Sequence, residues 1–151
     1  MTKQKSVRIN GRERVIPPAW LGARLLDFLR TELGLVGSKE GCGEGDCGAC
    51  TVLFDGEPAC ACLLLCDITA GREIITVEGL PDQYVAQFAD SCERNGGVQC
   101  GFCTSGIAVM GSWLYSGGTE TGNESTADLL EGNICRCGAY QQMIKSLDGT
   151  R

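Results

Sequence analysis

Apolar and polar positions change rhythm once along this chain, near residue 80. Before that point the rhythm is mostly of period two. Residues 6–16 alternate around Asn10-Gly11, a pair suited to the tight turn of a β-hairpin, and Pro17-Pro18 ends the unit. Leu21, Leu25, Phe28, Leu29 and Leu33 then recur at helical spacing, which predicts an amphipathic helix over 20–33 stopped by Gly34. A strand over 51–54 turns at Asp55-Gly56 and returns through 59–65, and a last strand runs over 74–77. Strands packed across one helix predict a β-grasp arrangement of the α+β class. Gly79-Leu80-Pro81 reads as a linker, so the expected division is 1–79 and 80–151. Beyond it the spacing is helical. Tyr84, Phe88 and Cys92 share a face of a helix over 82–94, with Val85 and Ala89 beside them. A second helix runs from near Cys103 through Ile107, Met110 and Trp113 to Tyr115. Residues 116–124 read as an exposed loop, Ser125 or Thr126 as the cap of a short helix over 127–131, and a last helix is expected to begin near Cys137.

Eleven cysteines in 151 residues change this picture, because eight fall into two arrays. The first is Cys42-x4-Cys47-x2-Cys50 with Cys62 beyond, the spacing of plant-type [2Fe–2S] ferredoxins. The second is Cys100-x2-Cys103 followed by Cys135-Arg-Cys137. Thiolates are the soft donors an iron–sulfur cluster takes. The glycines among the first array let its loop wrap closely and aim backbone N–H groups at sulfur. Cys103 and Cys137, placed near expected helix N-termini, would gain from the positive end of the helix dipole. Zinc is the main rival, since paired CxxC motifs build structural zinc sites. Against it stand three donors within nine residues and the absence of histidine. A disulfide framework fits poorly with such tight pairs and with no apolar segment after Met1-Thr-Lys-Gln-Lys.

Charge and composition narrow the function classes. The formal charge is −6, and eight thiolates around two cluster cores would add ~4 further negative charges. An acidic chain of this kind argues against nucleic-acid binding. No run of residues is apolar enough for a membrane span. So many thiols suit a reducing compartment, and a cytoplasmic location is expected.

Gly41-Cys-Gly-Glu-Gly-Asp-Cys-Gly-Ala-Cys-Thr51, Val98-Gln-Cys-Gly-Phe-Cys-Thr104 and Gly132-Asn-Ile-Cys-Arg-Cys-Gly138 together resemble the small iron–sulfur subunit of molybdenum hydroxylases, the xanthine dehydrogenase and aldehyde oxidoreductase family. The resemblance runs from about Val7 to Leu147. It implies a plant-ferredoxin-like β-grasp domain followed by a four-helix domain, and two [2Fe–2S] clusters. The implied ligand sets are Cys42, Cys47, Cys50 and Cys62 in the first domain, and Cys100, Cys103, Cys135 and Cys137 in the second. It further implies a large molybdopterin-binding subunit as partner, with Gln99 and Cys137 against the pterin cofactor, and an FAD-binding medium subunit. Electrons would pass from the molybdopterin centre to the helical-domain cluster, then to the ferredoxin-domain cluster, then to flavin or an external acceptor. Such a subunit is part of an oxidoreductase and has no activity alone. The Cys135-Arg-Cys-Gly-Ala-Tyr140 variant points to an aldehyde or N-heterocycle as substrate.

Where the family has Cys-Thr-Pro-Gly this chain has Cys103-Thr-Ser105-Gly, in which serine can cap the helix start in place of proline. Cys60, Cys66 and Cys92 lie outside the ligand sets and are expected to be small buried apolar residues. Cys60 also falls two positions from Cys62, on one face of the expected strand, where it could substitute as a ligand. The alternative reading of the whole chain is a free-standing two-cluster ferredoxin that shuttles electrons between soluble partners.

Overall fold

The computed structural model describes residues 4–118 and 124–150. β1 (Ser6–Ile9) and β2 (Arg12–Val15) form the expected hairpin. Asn10 and Gly11 both take positive φ, 50° and 75°, as the twist-matched two-residue turn requires. The Asn10 carboxamide then reaches across the sheet, accepting from the Thr76 amide and donating to the Thr76 hydroxyl, both at 2.9 Å. β3 (Thr51–Phe54) and β4 (Glu57–Cys60) make a second hairpin with the same turn geometry at Asp55-Gly56. β5 (Glu73–Ile75) enters between the hairpins, parallel to β1 and antiparallel to β3, giving the order β2-β1-β5-β3-β4.

The helix expected over 20–33 is shorter and less regular. After a 3-10 turn at Pro18–Trp20, α1 occupies Leu25–Asp27 and continues in a wider π-type winding over Phe28–Glu32. Leu25, Leu26, Phe28 and Leu29 are all fully buried, so two adjacent pairs must face the sheet rather than one helical stripe. With Val7, Ile9, Ile16, Val52 and Ile74 they form the first core. Two strands also end earlier than their hydrophobic runs. β4 stops at Cys60, and the chain then turns, Leu63 N–H donating to the Cys60 carbonyl. Cys62 therefore lies beyond the strand, not on one strand face with Cys60. β5 stops at Ile75 and is followed by a 3-10 turn at Val77–Gly79.

The second half is a four-helix unit: α2 (Asp82–Asn95), α3 (Thr104–Tyr115), α4 (Thr126–Leu129) and α5 (Tyr140–Asp148). α2 is closed by Gly96 in the left-handed conformation, with the Gly97 N–H on the Cys92 carbonyl. α4 carries a full capping box. The Ser125 hydroxyl accepts from the Asp128 amide, and the Asp128 carboxylate accepts from the Ser125 amide. α5 begins at Tyr140, three residues later than expected, so Cys137 precedes the helix while Cys103 caps α3 directly. The expected loop 116–124 falls mostly outside the described residues. Tyr84, Phe88, Ile107, Val109, Leu130, Met143 and Leu147 build the second core, and Leu53 of β3 joins it. One sheet residue thus packs with the helices, so the two units share a seam. No helix among the described residues is long and apolar enough to cross a membrane.

Candidate metal centres

The first cysteine loop runs from the end of α1 to the start of β3. Arg24 anchors its approach, holding Asp27 bidentately and Glu40 at 2.8 Å, and these two carboxylates raise its already high pKa. Glu40 stands two residues before Cys42, so the ion pair ties the loop to the helix. Gly43, Gly45 and Gly48 take positive φ, and the chain curls back on itself. As a result the N–H groups of Glu44, Asp46 and Cys47 all point at the Cys42 sulfur, at 3.3–3.4 Å. The Glu44 and Cys47 amides lead in pulling the Cys42 thiol down to about 6, so this sulfur favours the thiolate a metal binds.

Cys42 contacts Cys47, both half-buried, whereas the almost fully buried Cys50 contacts both Cys60 and the almost fully buried Cys62. Burial pushes the Cys62 thiol up to about 11, and Cys50 is raised further by the Cys60 thiol and then by burial. Cys60 is thus no ordinary core residue: its Sγ is half-buried, contacts Cys50 and lies 3.5 Å from the Gly45 carbonyl. This corrects the expectation for Cys60. Cys66 and Cys92 are buried and packed among apolar side chains as expected.

The second array repeats the pairing. Cys137 and Cys100 lie 3.2 Å apart, sulfur to sulfur, at the protein surface, while the deeper Cys103 contacts Cys135. In each pair one thiol is shifted up and the other down. The Phe102 N–H and then Cys137 lower Cys100, and Cys100 in turn raises Cys137. Burial and then Cys135 push Cys103 up to about 12, whereas for Cys135 burial, which raises it, is outweighed by the Ala139 and Cys137 N–H groups together with the Cys103 thiol, and the net shift is down. Gln99 is exposed beside Cys100, so Gln99, Cys100 and Cys137 share an open edge of the helical unit. Ser105 does not cap α3; its hydroxyl and that of Thr104 are buried without a hydrogen-bond partner among the described residues.

The two loops touch. Ile134 N–H donates to the Cys47 carbonyl at 3.0 Å, and the Asn133 amide nitrogen donates to the Gly48 carbonyl at 3.0 Å. Gly48 and Gly106 must both be glycine at this seam. A Cβ on Gly106 would stand 2.1 Å from the Gly48 oxygen, and one on Gly48 would stand 2.2 Å from the Gly132 oxygen. Phe102, half-exposed, leans over the first loop at Gly41. Sequence reasoning missed Asn133 and Gly106 as members of this region, and favoured a packing role for Cys60. Asn133 lies within a quoted motif, but nothing local indicates its partner 85 residues away.

Thiol donors in pairs, one pair deep and one shallow, fit a two-iron cluster, in which each iron takes two protein ligands. Among the described residues no three Cys, Asp or Glu side chains close on one point as the cage of a single metal ion would. The N–H groups aimed at Cys42 add the positive field that an anionic cluster calls for.

Comparison with known proteins agrees with this chemistry. Residues 7–70 match the family model of a 2Fe-2S iron-sulfur cluster binding domain, and residues 76–148 match that of a [2Fe-2S] binding domain. The nicotine 6-hydroxylase small subunit of Paenarthrobacter nicotinovorans is 38% identical over 143 residues, covering 93% of this chain and 85% of that protein. Quinoline 2-oxidoreductase from Pseudomonas putida 86 superposes with a TM-score of 0.81 at 37% identity, over 95% of this chain and 89% of the matched chain. Aldehyde oxidoreductase from Desulfovibrio gigas superposes with a TM-score of 0.82 at 32% identity. The match covers 97% of this chain but 16% of that much longer one.

Proposed function

Because the chain belongs to the iron–sulfur subunits of the molybdenum hydroxylases, we propose a route for electrons through its two cysteine sets. It is an electron-transfer subunit of a multi-subunit oxidoreductase and carries two [2Fe–2S] clusters. When bound, those clusters supply the one-electron chemistry that no side chain here can provide. Cys42, Cys47, Cys50 and Cys62 would hold one. Cys100, Cys103, Cys135 and Cys137 would hold the second. The support is the pairwise thiol contact in each set. The division between the units lies at residues 79 and 80, in keeping with the two separate cores.

The helical set is the entry side. Its outer pair and Gln99 lie on one open edge, where a cofactor held by another subunit could come close. Gln99 offers an amide that can donate and accept, and Cys137 a partly exposed sulfur. From there the route crosses the seam between Ile134 and Cys47 to the ferredoxin-like set and leaves toward flavin or an external acceptor. Partners are a large molybdopterin-binding subunit and an FAD-binding medium subunit. The substrate is an aldehyde or an N-heterocycle, in line with the names of the similar proteins. A cytoplasmic location accords with thiols kept reduced.

The observation that carries this reading is that the two thiol sets meet at a bonded seam, with the outer pair of the helical set on an open edge beside Gln99. Its test uses the assembled complex. With Cys103→Ala, substrate should no longer reduce the ferredoxin-type cluster, although dithionite still does. With Cys47→Ala, substrate should still reduce the helical-unit cluster while turnover with the external acceptor stops. Reduction of the ferredoxin-type cluster by substrate at the normal rate in Cys103→Ala would reverse the order. Assembly of each variant must be verified first, since cluster loss can unfold its unit.

A further inference from the structure

Asn133 is 4% exposed and lies two residues before Cys135, yet its carboxamide serves the opposite cysteine loop. Its nitrogen donates to the Gly48 carbonyl at 3.0 Å and reaches the Thr51 hydroxyl at 3.4 Å. Gly48 stands between Cys47 and Cys50. The Gly48 carbonyl already accepts from the Thr51 amide at 3.1 Å and the Thr51 hydroxyl at 2.7 Å. The first loop therefore closes without Asn133, and this third donor is not needed to satisfy that oxygen. What it adds is a link to the helical unit. Asn133 itself is held from its own side, its N–H on the Leu130 carbonyl at 2.8 Å.

Everything around the link is set for close approach. Gly106 of α3 lies against the Gly48 carbonyl with no room for a methyl group, and Gly48 has a φ of 65° with the Gly132 carbonyl where its side chain would be. The next residue, Ile134, donates to Cys47. Two consecutive residues thus bridge two consecutive residues, Asn133 to Gly48 and Ile134 to Cys47. Two adjacent bonds resist rotation about either one. A single bond would resist that rotation less.

We propose that Asn133 is a positioning residue that fixes the separation and mutual orientation of the two clusters, and so the rate at which electrons cross between them. This rests on the ligand sets assigned above. A buried amide whose only role is core satisfaction would change stability when replaced. A positioning amide changes the magnetic interaction between two cluster spins and the crossing rate, with both clusters still present. The dipolar part of that interaction falls with the inverse cube of separation, so a small opening of the seam is measurable.

The test uses the full chain in its assembled complex. Asn133→Asp keeps the shape but, while ionised, cannot donate to the Gly48 carbonyl and sets a negative charge against that oxygen. Asn133→Ala removes the group. The readouts are iron and labile sulfide content, the spin–spin splitting of the fully reduced protein, and the rate of cluster-to-cluster transfer after rapid mixing with substrate. Ser125→Ala, which weakens the α4 cap without touching either cysteine loop, controls for stability alone. The expected result is full cluster content in both Asn133 variants, a reduced splitting and a several-fold slower crossing, with the Ser125 variant unchanged in both. Unaltered splitting and rate in Asn133→Ala would make Asn133 an ordinary core amide. If either variant fails to fold, the other decides by the same two readouts. Absence of two clusters from the unsubstituted protein would be a failure of the ligand assignment, seen before any variant is compared.

Discussion

The amide N–H of Ile134 donates to the carbonyl of Cys47 at 3.0 Å, joining residues that flank one cysteine set to a member of the other. From Cys135 the path to Cys47 is one peptide unit and one hydrogen bond. A relay between two clusters gains from such a contact, because bonded paths carry electrons better than gaps. The two halves of the chain are accordingly fused at this seam: Leu53 of β3 packs into the helical core, and Gly106 of α3 lies against Gly48.

The first prediction concerns that packing. Gly106→Ala would place a methyl 2.1 Å from the backbone oxygen of Gly48, and neither the bonded cysteine loop nor α3 can yield easily there. The substitution should destabilise the protein by about 1–3 kcal/mol, in the range of overpacked cores. Thermal unfolding of Gly106→Ala against Gly22→Ala, where a Cβ meets open space, measures this. Equal melting temperatures would mean the seam is slack.

Cys60 is the subject of the second. Five thiols crowd the ferredoxin-like site, where a cluster takes four. Cys60→Ala should keep both clusters, whereas Cys62→Ala should strip or alter the ferredoxin-type cluster and spare the other. Cluster content and the separate paramagnetic signals of the reduced protein report the outcome. If Cys60→Ala removes the cluster and Cys62→Ala does not, the ligand in this stretch is Cys60.

A third prediction follows from Tyr84, which is fully buried with no hydrogen-bond partner for its hydroxyl among the described residues. Burial raises its pKa, so the phenol stays neutral across the working range. Tyr84→Phe should be neutral or stabilising by up to ~1 kcal/mol, since it removes a polar group that is desolvated without return. Denaturant unfolding decides, and a clear destabilisation would mean the hydroxyl has a partner in solution.

The α4 cap gives a pH dependence. The Ser125 hydroxyl and amide hold the Asp128 carboxyl below its ordinary range. A depressed folded-state pKa adds stability above the unfolded value, which is lost as pH falls through the folded one. Stability contributed by this cap should therefore fade only under acid, below the ordinary aspartate pKa. Asp128→Asn should flatten that part of the stability profile, and an unchanged acid limb would argue that the carboxylate is idle.

Much of this was legible in the residues. Asn10-Gly11 and Asp55-Gly56 take the turns their types favour, Ser125 caps α4, and the spacing of the cysteines fits the paired thiols. The ends of elements were less legible. The run Leu25, Leu26, Phe28, Leu29 looks like a regular helix, but burying all four against one sheet shifts the winding to π-type after Asp27. The apolar run through Cys60 and Cys62 looks like one strand, yet Cys62 must turn toward Cys50, and β4 stops. Asn133 and Gly106 act across distances in sequence that no local pattern encodes; their partner is a backbone carbonyl, which any residue could supply.

The most direct measurement of the central claim is the cofactor content of the natively purified protein, with the spectrum of its reduced state. About four iron and four acid-labile sulfide per chain are expected, with two distinct paramagnetic [2Fe–2S] signals on reduction. Cys47→Ala and Cys103→Ala should each abolish a different one. Stoichiometric zinc without labile sulfide, or a single signal lost in both variants, would contradict it.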